Sequence, residues 1–571
     1  MVIRRSQSQS SSRSLVGRWS AIVLVVGTLT GILASCDSGT DEPGPSPSGT
    51  GTESAAPQSP GATEIGSWGG IINPGGEPVE GGTLKLDQGG APVAISPLAY
   101  LASPDNQIGQ VVQQMFSQLV EYTPGQIDPQ PGLAESWEVS DDGLTYTFHL
   151  RDAQFSDGSP VTSADVKWVF EAAQGGVKLD ADGNESFFAD QYAPIDTIET
   201  PDEKTVIMTF KEPYPAFIYF ASYLAVSIVP SKLVEQEGVK KFNENPIGSG
   251  PFVLDHWTRD QEVVLKANPD YWGKGPYLDE VVFRNTPEDN TRVLDLQSGT
   301  VDVAERIPFS QVETVDKGGA AHVLSVDGSD INAIWLNNSK PPLDEENVRI
   351  ALNYATPADS IVNVVFHGLA TRANTIVPKL KYWTDTVDPY PYDVDQAKEL
   401  LKSTSVPNGF DIKLDYPAAD QASTQTAQIL QEAWKQIGVD VTLNPQDEGT
   451  DTFSTGEYQA ILFPPGVFTS DVPVDDQFAQ LLFDFPAIHN LFSWYKSPPE
   501  LVDLVEQALS EPDESRRVEL FKQIHQVSMA DPMYIPLTYT PNRVGVADYV
   551  HNFNLPLTAI FRLESVWIDK G

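Results

Sequence analysis

The chain is almost without cysteine: Cys36 is the only one in 571 residues. A single thiol excludes an intramolecular disulfide framework and any cysteine-cluster zinc or iron–sulfur site. Histidine is also scarce. The seven (His149, His256, His322, His367, His489, His525 and His551) lie far apart, with no i,i+4 pair to face one metal, so neither a metal nor any other cofactor is expected. Positive charge is in short supply, with 36 Lys and Arg against 79 Asp and Glu and a formal net charge of −43. Such a surface repels nucleic-acid phosphates and anionic headgroups, which removes nucleic acid from the partners expected. Catalytic signatures are missing too. There is no G-x-S-x-G, H-E-x-x-H, P-loop or strand–G-x-G-x-x-G–helix unit, and no spacing singles out a carboxylate pair. No catalytic residue is named and the chain reads as a non-enzyme.

What little basic charge there is begins the chain. Arg4, Arg5, Arg13 and Arg18 precede an apolar run, WSAIVLVVGTLTGILAS, and every acid follows Cys36. Basic-then-apolar order over so short a span is the layout of a secretory signal rather than of a spanning helix, so residues 1–35 are read as a signal peptide. Arg4-Arg5 leaves twin-arginine export open beside the general route. The next segment is rich in Pro, Gly, Ser and Thr. It cannot bury enough apolar area to offset chain entropy, and 36–78 is expected to be a tether spanning roughly 35–40 Å root-mean-square.

The chain as a whole has ample material for a core, with 40% hydrophobic and 10% aromatic residues, and its length suits about three domains. Strands are expected at 80–86, 141–151, 203–210 and 439–443, the second with Tyr146, Phe148 and Leu150 on one face. Helices are expected over 106–122 from Ile108, Val111, Val112, Met115, Phe116 and Leu119, after a Thr162–Asp165 capping box, over 348–355, from Thr356-Pro357 to Gly368, and over 427–438 ending at Gly438. Alternating helices and strands argue for α/β lobes.

Two kinds of resemblance add to this. LASC, residues 33–36, resembles the bacterial lipobox, in which the cysteine sulfur takes a diacylglycerol and becomes the new N-terminus. That implies lipidation of Cys36 and a body held at the outer face of the cytoplasmic membrane. Each buried CH₂ is worth ~0.8 kcal/mol, so two or more chains hold stably. The blocks LAESWEVSDDGLTYTFHLRDAQFSDGSPVTSADVKWVFE (133–171), GSGPFVLDHWTRDQEVVLKANPDYWGKGPYLDEVVFR (248–284), LQSGTVDVAE (296–305), PPLDEENVRIALNYA (341–355) and YDVDQAKELL (392–401) resemble, in order, the family 5 extracellular solute-binding proteins, the peptide- and nickel-binding components of ABC importers. The family often has Asp-Arg where Thr356-Pro357 stands, a difference expected to change only a helix cap.

The resemblance implies a two-lobed α/β clamshell of the periplasmic-binding-protein type (class II), with an extra domain inserted in lobe I. Lobe I is expected at 79–120, 230–328 and 535–571, the inserted domain at 121–229 and lobe II at 329–534. It also implies a peptide or similar small polar ligand, ABC permease partners and a monomer. A nickel-complex or sugar receptor on the same fold stays open, with His489 as one pocket histidine, and so does a secreted lipoprotein hydrolase. In peptide-binding relatives an aspartate captures the peptide's amino terminus, and Asp471, after Phe468, stands in the matching place. Relatives also place an arginine shortly before it, where this chain has Phe463-Pro464-Pro465. Asp475 and Asp476 are read as solvated caps. Trp335, Asn337, Trp494 and Tyr100 complete the expected ligand-binding set.

Overall fold

The computed structural model describes residues 62–64 and 69–570, apart from 123–124, 127, 181–182, 328–329, 448–451, 453–455, 464–474, 477–478 and 480–496. Two large sheets organise the body. The first has seven strands in the order Phe252–Thr258, Glu262–Ala267, Glu280–Asn285, Thr83–Gln88, Val303–Glu305, Asn542–Ala547, Ala321–Val326. Its central three strands are mutually parallel and the flanking pairs antiparallel. The second has six, in the order Thr371–Arg372, Tyr534–Tyr539, Ile331–Leu336, Ala460–Phe463, Asp411–Pro417, Asp440–Gln446. Separate clusters cover its two faces: Ile334, Leu336, Leu414 and Leu462 belong to one, and Ala333, Trp335, Ile461 and Tyr534 to the other.

The chain passes from the first sheet to the second between Val326 and Ile331 and returns between Tyr539 and Asn542. The crossings run side by side. Val326 pairs with Asn542 in one sheet and Ile331 with Tyr539 in the other, and Thr540 N donates to Asp330 O at 3.0 Å. The return therefore falls at Thr540-Pro541, not at 535 as the sequence suggested. Residues from 535 onward are expected in lobe I, but the strand Tyr534–Tyr539 has Ile331–Leu336 and Thr371–Arg372 as its ladder partners.

A four-stranded antiparallel sheet, Ala134–Val139, Thr145–Leu150, Thr205–Phe210 and Ile195–Asp202, is inserted in the chain between two strands of the first sheet. In Thr145–Leu150 the alternation works as expected, with Tyr146, Phe148 and Leu150 buried. The helix Ser163–Ala173 starts at its capping box: Thr162 N donates to the Asp165 carboxylate at 2.9 Å, an arrangement worth about 1 kcal/mol. Asp165 also accepts from Ser231 N and Oγ at 2.9 and 2.6 Å, so the cap doubles as a tie to the next segment. Phe148, Phe170 and Phe217 share one buried cluster with Leu84, Leu86 and Phe283 of the first sheet; inserted layer and first lobe have a common core.

Two expectations change. The helix expected over 106–122 spans Asn106–Met115 and stops at an extended Phe116, because Met115 O is taken by Gly250 N at 2.9 Å and Ser117 O by Ile228 N at 2.9 Å. Part of the stretch expected as a tether, 36–78, is a paired strand. Gly69–Ile72 pairs with Phe553–Pro556, Ile72 is fully buried, and Asn73 Nδ2 donates to Asp548 O and Val550 O at 3.0 and 2.9 Å. At Thr356-Pro357 the next helix starts at Ala358, while Thr356 Oγ1 donates to Leu352 O at 2.7 Å and receives Trp434 Nε1 at 3.0 Å.

Candidate ligand-binding cleft

In open sheets with parallel strands, ligands bind in the crevice beyond the carboxyl ends. Register places that crevice between the lobes. Glu305 lies opposite Val544, near the start of the returning strand, and Thr83–Gln88 runs parallel beside it. Gln88 and Glu305 thus end their strands on the hinge side. In the second sheet Phe463 lies opposite Ala333, near the crossing, and Asp411–Pro417 runs parallel to that strand. Pro417 and Phe463 therefore also end on the hinge side, and the two sets of carboxyl ends face one opening.

The first-lobe wall is polar and buried. Gln88 and Glu305 are 1% and 4% exposed, and among the described residues Gln88 Nε2, Glu305 Oε1 and both Asp87 carboxylate oxygens lack a hydrogen-bond partner, with Arg284 Nε 3.5 Å from Asp87. Burial raises Glu305 above the usual carboxylate range and pushes Asp87 up to about 6, opposed by Arg284. Charge also gathers at the crossings. Burial pushes Asp330 up to about 6, against the pull of Arg306 and Arg543. Arg543 lies 3.4 Å over the Phe309 ring and donates to Ile307 O at 2.8 Å. Burial lowers it to about 9, while Asp330, Asp289 and Asp420 favour its charge. Asp420 caps a helix of the second lobe, so the field at Arg543 comes from both lobes. Phe309 meets Phe366 of the second lobe edge-on at 5.1 Å.

A second meeting place joins the inserted sheet's layer to the second lobe. Lys381 Nζ donates to Tyr219 Oη at 2.6 Å, to Asp128 at 3.1 Å and to Glu514 at 3.1 Å, and Tyr219 Oη donates to Asp128 at 2.8 Å. Beside it Arg517 holds Asp476 through two contacts of 2.6 and 2.7 Å. Tyr382 N donates to Asp475 Oδ2 at 2.6 Å. Asp475 and Asp476 are both 0% exposed, which overturns their reading as solvated caps. An adjacent pair of acids in an acidic chain looks solvated until a buried arginine 41 residues away is folded against it. Burial pushes Asp475 up to about 8. Tyr214, from the first-lobe side, is buried with no partner for its hydroxyl among the described residues; burial and then Asp476 raise it far above the usual tyrosine range.

The ligand-binding set expected from sequence divides. Asp471, Phe468 and Trp494 lie outside the described residues, as do His489 and Cys36; the strand ending at Phe463 shows only where the Asp471 segment leaves the second sheet. Trp335 is 4% exposed and packs edge-on against Tyr534 at 4.8 Å, within the core on one face of that sheet. Asn337 is fully buried. Its Nδ2 donates to Gly456 O and Tyr458 O at 3.1 and 3.0 Å, and its Oδ1 accepts from Ser339 N and Oγ at 3.1 and 2.6 Å. The amide of Asn337 is thus committed on both its nitrogen and its oxygen to internal partners. Tyr100, 3% exposed, packs in the first-lobe core. Lys381, Asp128, Tyr219 and Arg517 were not singled out by sequence. The Lys381–Asp128 contact joins residues 253 apart, and no local pattern signals it.

Two α/β lobes, two adjacent crossings and facing carboxyl ends define a two-lobed binding protein of the periplasmic type. The chain belongs to the bacterial extracellular solute-binding proteins, family 5, whose model ("family 5 Middle") matches residues 128–487. The dipeptide-binding protein of Escherichia coli (strain K12) is 29% identical over 504 residues, 83% of this chain and 92% of that protein. The glutathione-binding protein GsiB of the same strain is 30% identical over 413 residues, 71% and 79% of the two chains. Among solved structures, DppA from Helicobacter pylori in complex with the peptide STSA superposes with a TM-score of 0.77 at 26% identity, covering 86% of this chain and 99% of that one. AgaA from A. tumefaciens R10 in complex with agropinic acid gives 0.74 at 28%, with coverage of 86% and 99%. The chain is accordingly a substrate-binding protein of the ABC-importer type and not an enzyme. Among the described residues no helix is long and apolar enough to cross a membrane, and no group of three or more His, Cys, Asp or Glu is placed to hold a metal ion.

Proposed function

We propose that the protein captures a short peptide, or a similar small polar solute carrying an amino group, between its lobes and presents the closed form to an ABC permease. It does so as a monomer held at the outer membrane face by a lipidated Cys36. The observation that carries this reading is the polar cleft between facing carboxyl ends at a two-strand hinge, in a chain similar to proteins named for dipeptide and glutathione binding. Solute touching both lobes favours closure by its differential affinity for the closed state. Asp471 is the proposed partner of the amino group, since a carboxylate–ammonium pair in a closed cleft forms a strong charge-assisted bond.

The test has two arms. Full-length protein titrated with a dipeptide panel is expected to bind by calorimetry and to compact in small-angle scattering, and Asp471→Asn is expected to weaken binding by about 1 kcal/mol or more. No binding across the panel, with a non-peptide solute retained through purification, overturns the peptide reading. In cells, Cys36→Ala is expected to move the protein from membrane to soluble fraction, and full membrane retention overturns the anchor.

A further inference from the structure

We infer that Lys381, with Asp128 and Tyr219, forms a latch through which the inserted layer holds the second lobe closed, before any solute arrives and whatever that solute is. Hinge and latch use different parts of the chain. The adjacent crossings, one between Val326 and Ile331 and one between Tyr539 and Asn542, give the lobes a shared axis. The latch is made by side chains from Asp128 and Tyr219 on one side and Lys381 on the other. Its parts are preorganised on both sides. Tyr219 Oη already donates to Asp128 at 2.8 Å, and burial, followed by Asp128, raises Tyr219 far above the usual tyrosine range, so the hydroxyl keeps its proton and orients the carboxylate. Lys381, 17% exposed at its side chain, is held by Glu514 of its own lobe at 3.1 Å and lies 5.1 Å from the Tyr219 ring centroid.

Opening removes Asp128 and Tyr219 from Lys381 but leaves Glu514, so the ammonium is never stranded. That asymmetry lets the contact act as a latch and not as a permanent weld. A charge pair with one exposed partner is worth of order 1 kcal/mol or less, and Asp128 is 68% exposed at its side chain. The latch therefore shifts the balance of open and closed forms by a factor small enough for solute and permease to override.

The experiment measures the closed population directly. The full chain is made with Cys36→Ser and with Val139→Cys and Val518→Cys, both exposed positions, one on the inserted sheet and one on a second-lobe helix. Spin labels at the two new thiols report the interlobe distance by pulsed dipolar spectroscopy without added solute. A short-distance population is expected in the parent, reduced roughly two- to fivefold by Lys381→Met and less by the milder Tyr219→Phe. Lys381→Met combined with Asp128→Asn is expected to be no more open than Lys381→Met alone, because the latch acts as a unit. Circular dichroism confirms that each variant is folded. Superimposable distance distributions in parent and Lys381→Met overturn the latch. So does a parent with no short-distance population, or additive effects of the Lys381 and Asp128 substitutions. Each outcome is read without solute, so failure of the peptide reading leaves it unaffected.

Discussion

At the scale of single residues, burial changes what a side chain can do. Asn337 is the kind of residue that suggests recognition, an amide following a strand that leads into the second lobe. Its Nδ2 instead ties down Gly456 O and Tyr458 O, while its Oδ1 accepts from Ser339 N and Oγ. Asn337→Ala takes the side-chain donor from Gly456 O and leaves Tyr458 O with Lys340 Nζ alone, and is expected to destabilise the protein by about 1–3 kcal/mol with solute affinity unchanged. Chemical denaturation and calorimetry on the same variant separate these effects, and lost affinity at unchanged stability would return Asn337 to the site. Gly438 is a residue the sequence places well. It ends the helix Gln421–Lys435 at φ +82°, where a Cβ would stand 2.4 Å from Asn408 O, so the turn admits no side chain.

Elements show the same division. The strand Thr145–Leu150 and the helix Ser163–Ala173 formed as read because alternation and capping are short-range instructions. The helix starting at Asn106 ended early, and Gly69–Ile72 became a strand, because each depends on a partner remote in sequence: Gly250 for Met115, Phe553–Pro556 for the strand. The N-terminal strand buries Ile72, and Gly70 sits where a Cβ would meet Leu324 and Val326 at 2.8 Å. A chain beginning at residue 79 is therefore expected to be less stable than one beginning at residue 62, by roughly 2–4 kcal/mol for the lost side chain and ladder. Thermal unfolding of the two truncations decides this, and equal midpoints would show that the strand is dispensable.

For the whole molecule, buried titratable groups tie stability to pH. Asp475 is pushed up to about 8 by burial, whereas an unfolded aspartate ionises near 4. Between those values the folded chain keeps a proton that the unfolded chain has released. The contribution of Asp475 is thus complete below about pH 4 and is lost as pH rises toward 8. His525 has the opposite sign. Burial lowers it to about 4, so its contribution is complete above about pH 6.5 and is lost as pH falls toward 4. Asp475→Asn is expected to flatten the decline in stability between pH 5 and 8, and His525→Gln the decline between pH 6.5 and 4, each by on the order of a few kcal/mol across its range. Melting curves over pH test both, and slopes equal to those of the parent would remove these groups as the source.

Composition and periodicity marked an acidic α/β protein with the strands at 80–86, 141–151, 203–210 and 439–443 and the Thr162–Asp165 cap in place, and the ordered sequence blocks implied two lobes. Those features follow from neighbours within a few residues, where turn chemistry and apolar spacing act. Only the tertiary structure decided that Asp475 and Asp476 are buried, that the Asn337 amide is spent on internal partners, that the return crossing lies at Thr540-Pro541 and that Lys381 reaches Asp128. Each depends on groups brought together from distant parts of the chain, and the energy of such a contact is set by burial and geometry that exist only once the lobes have folded.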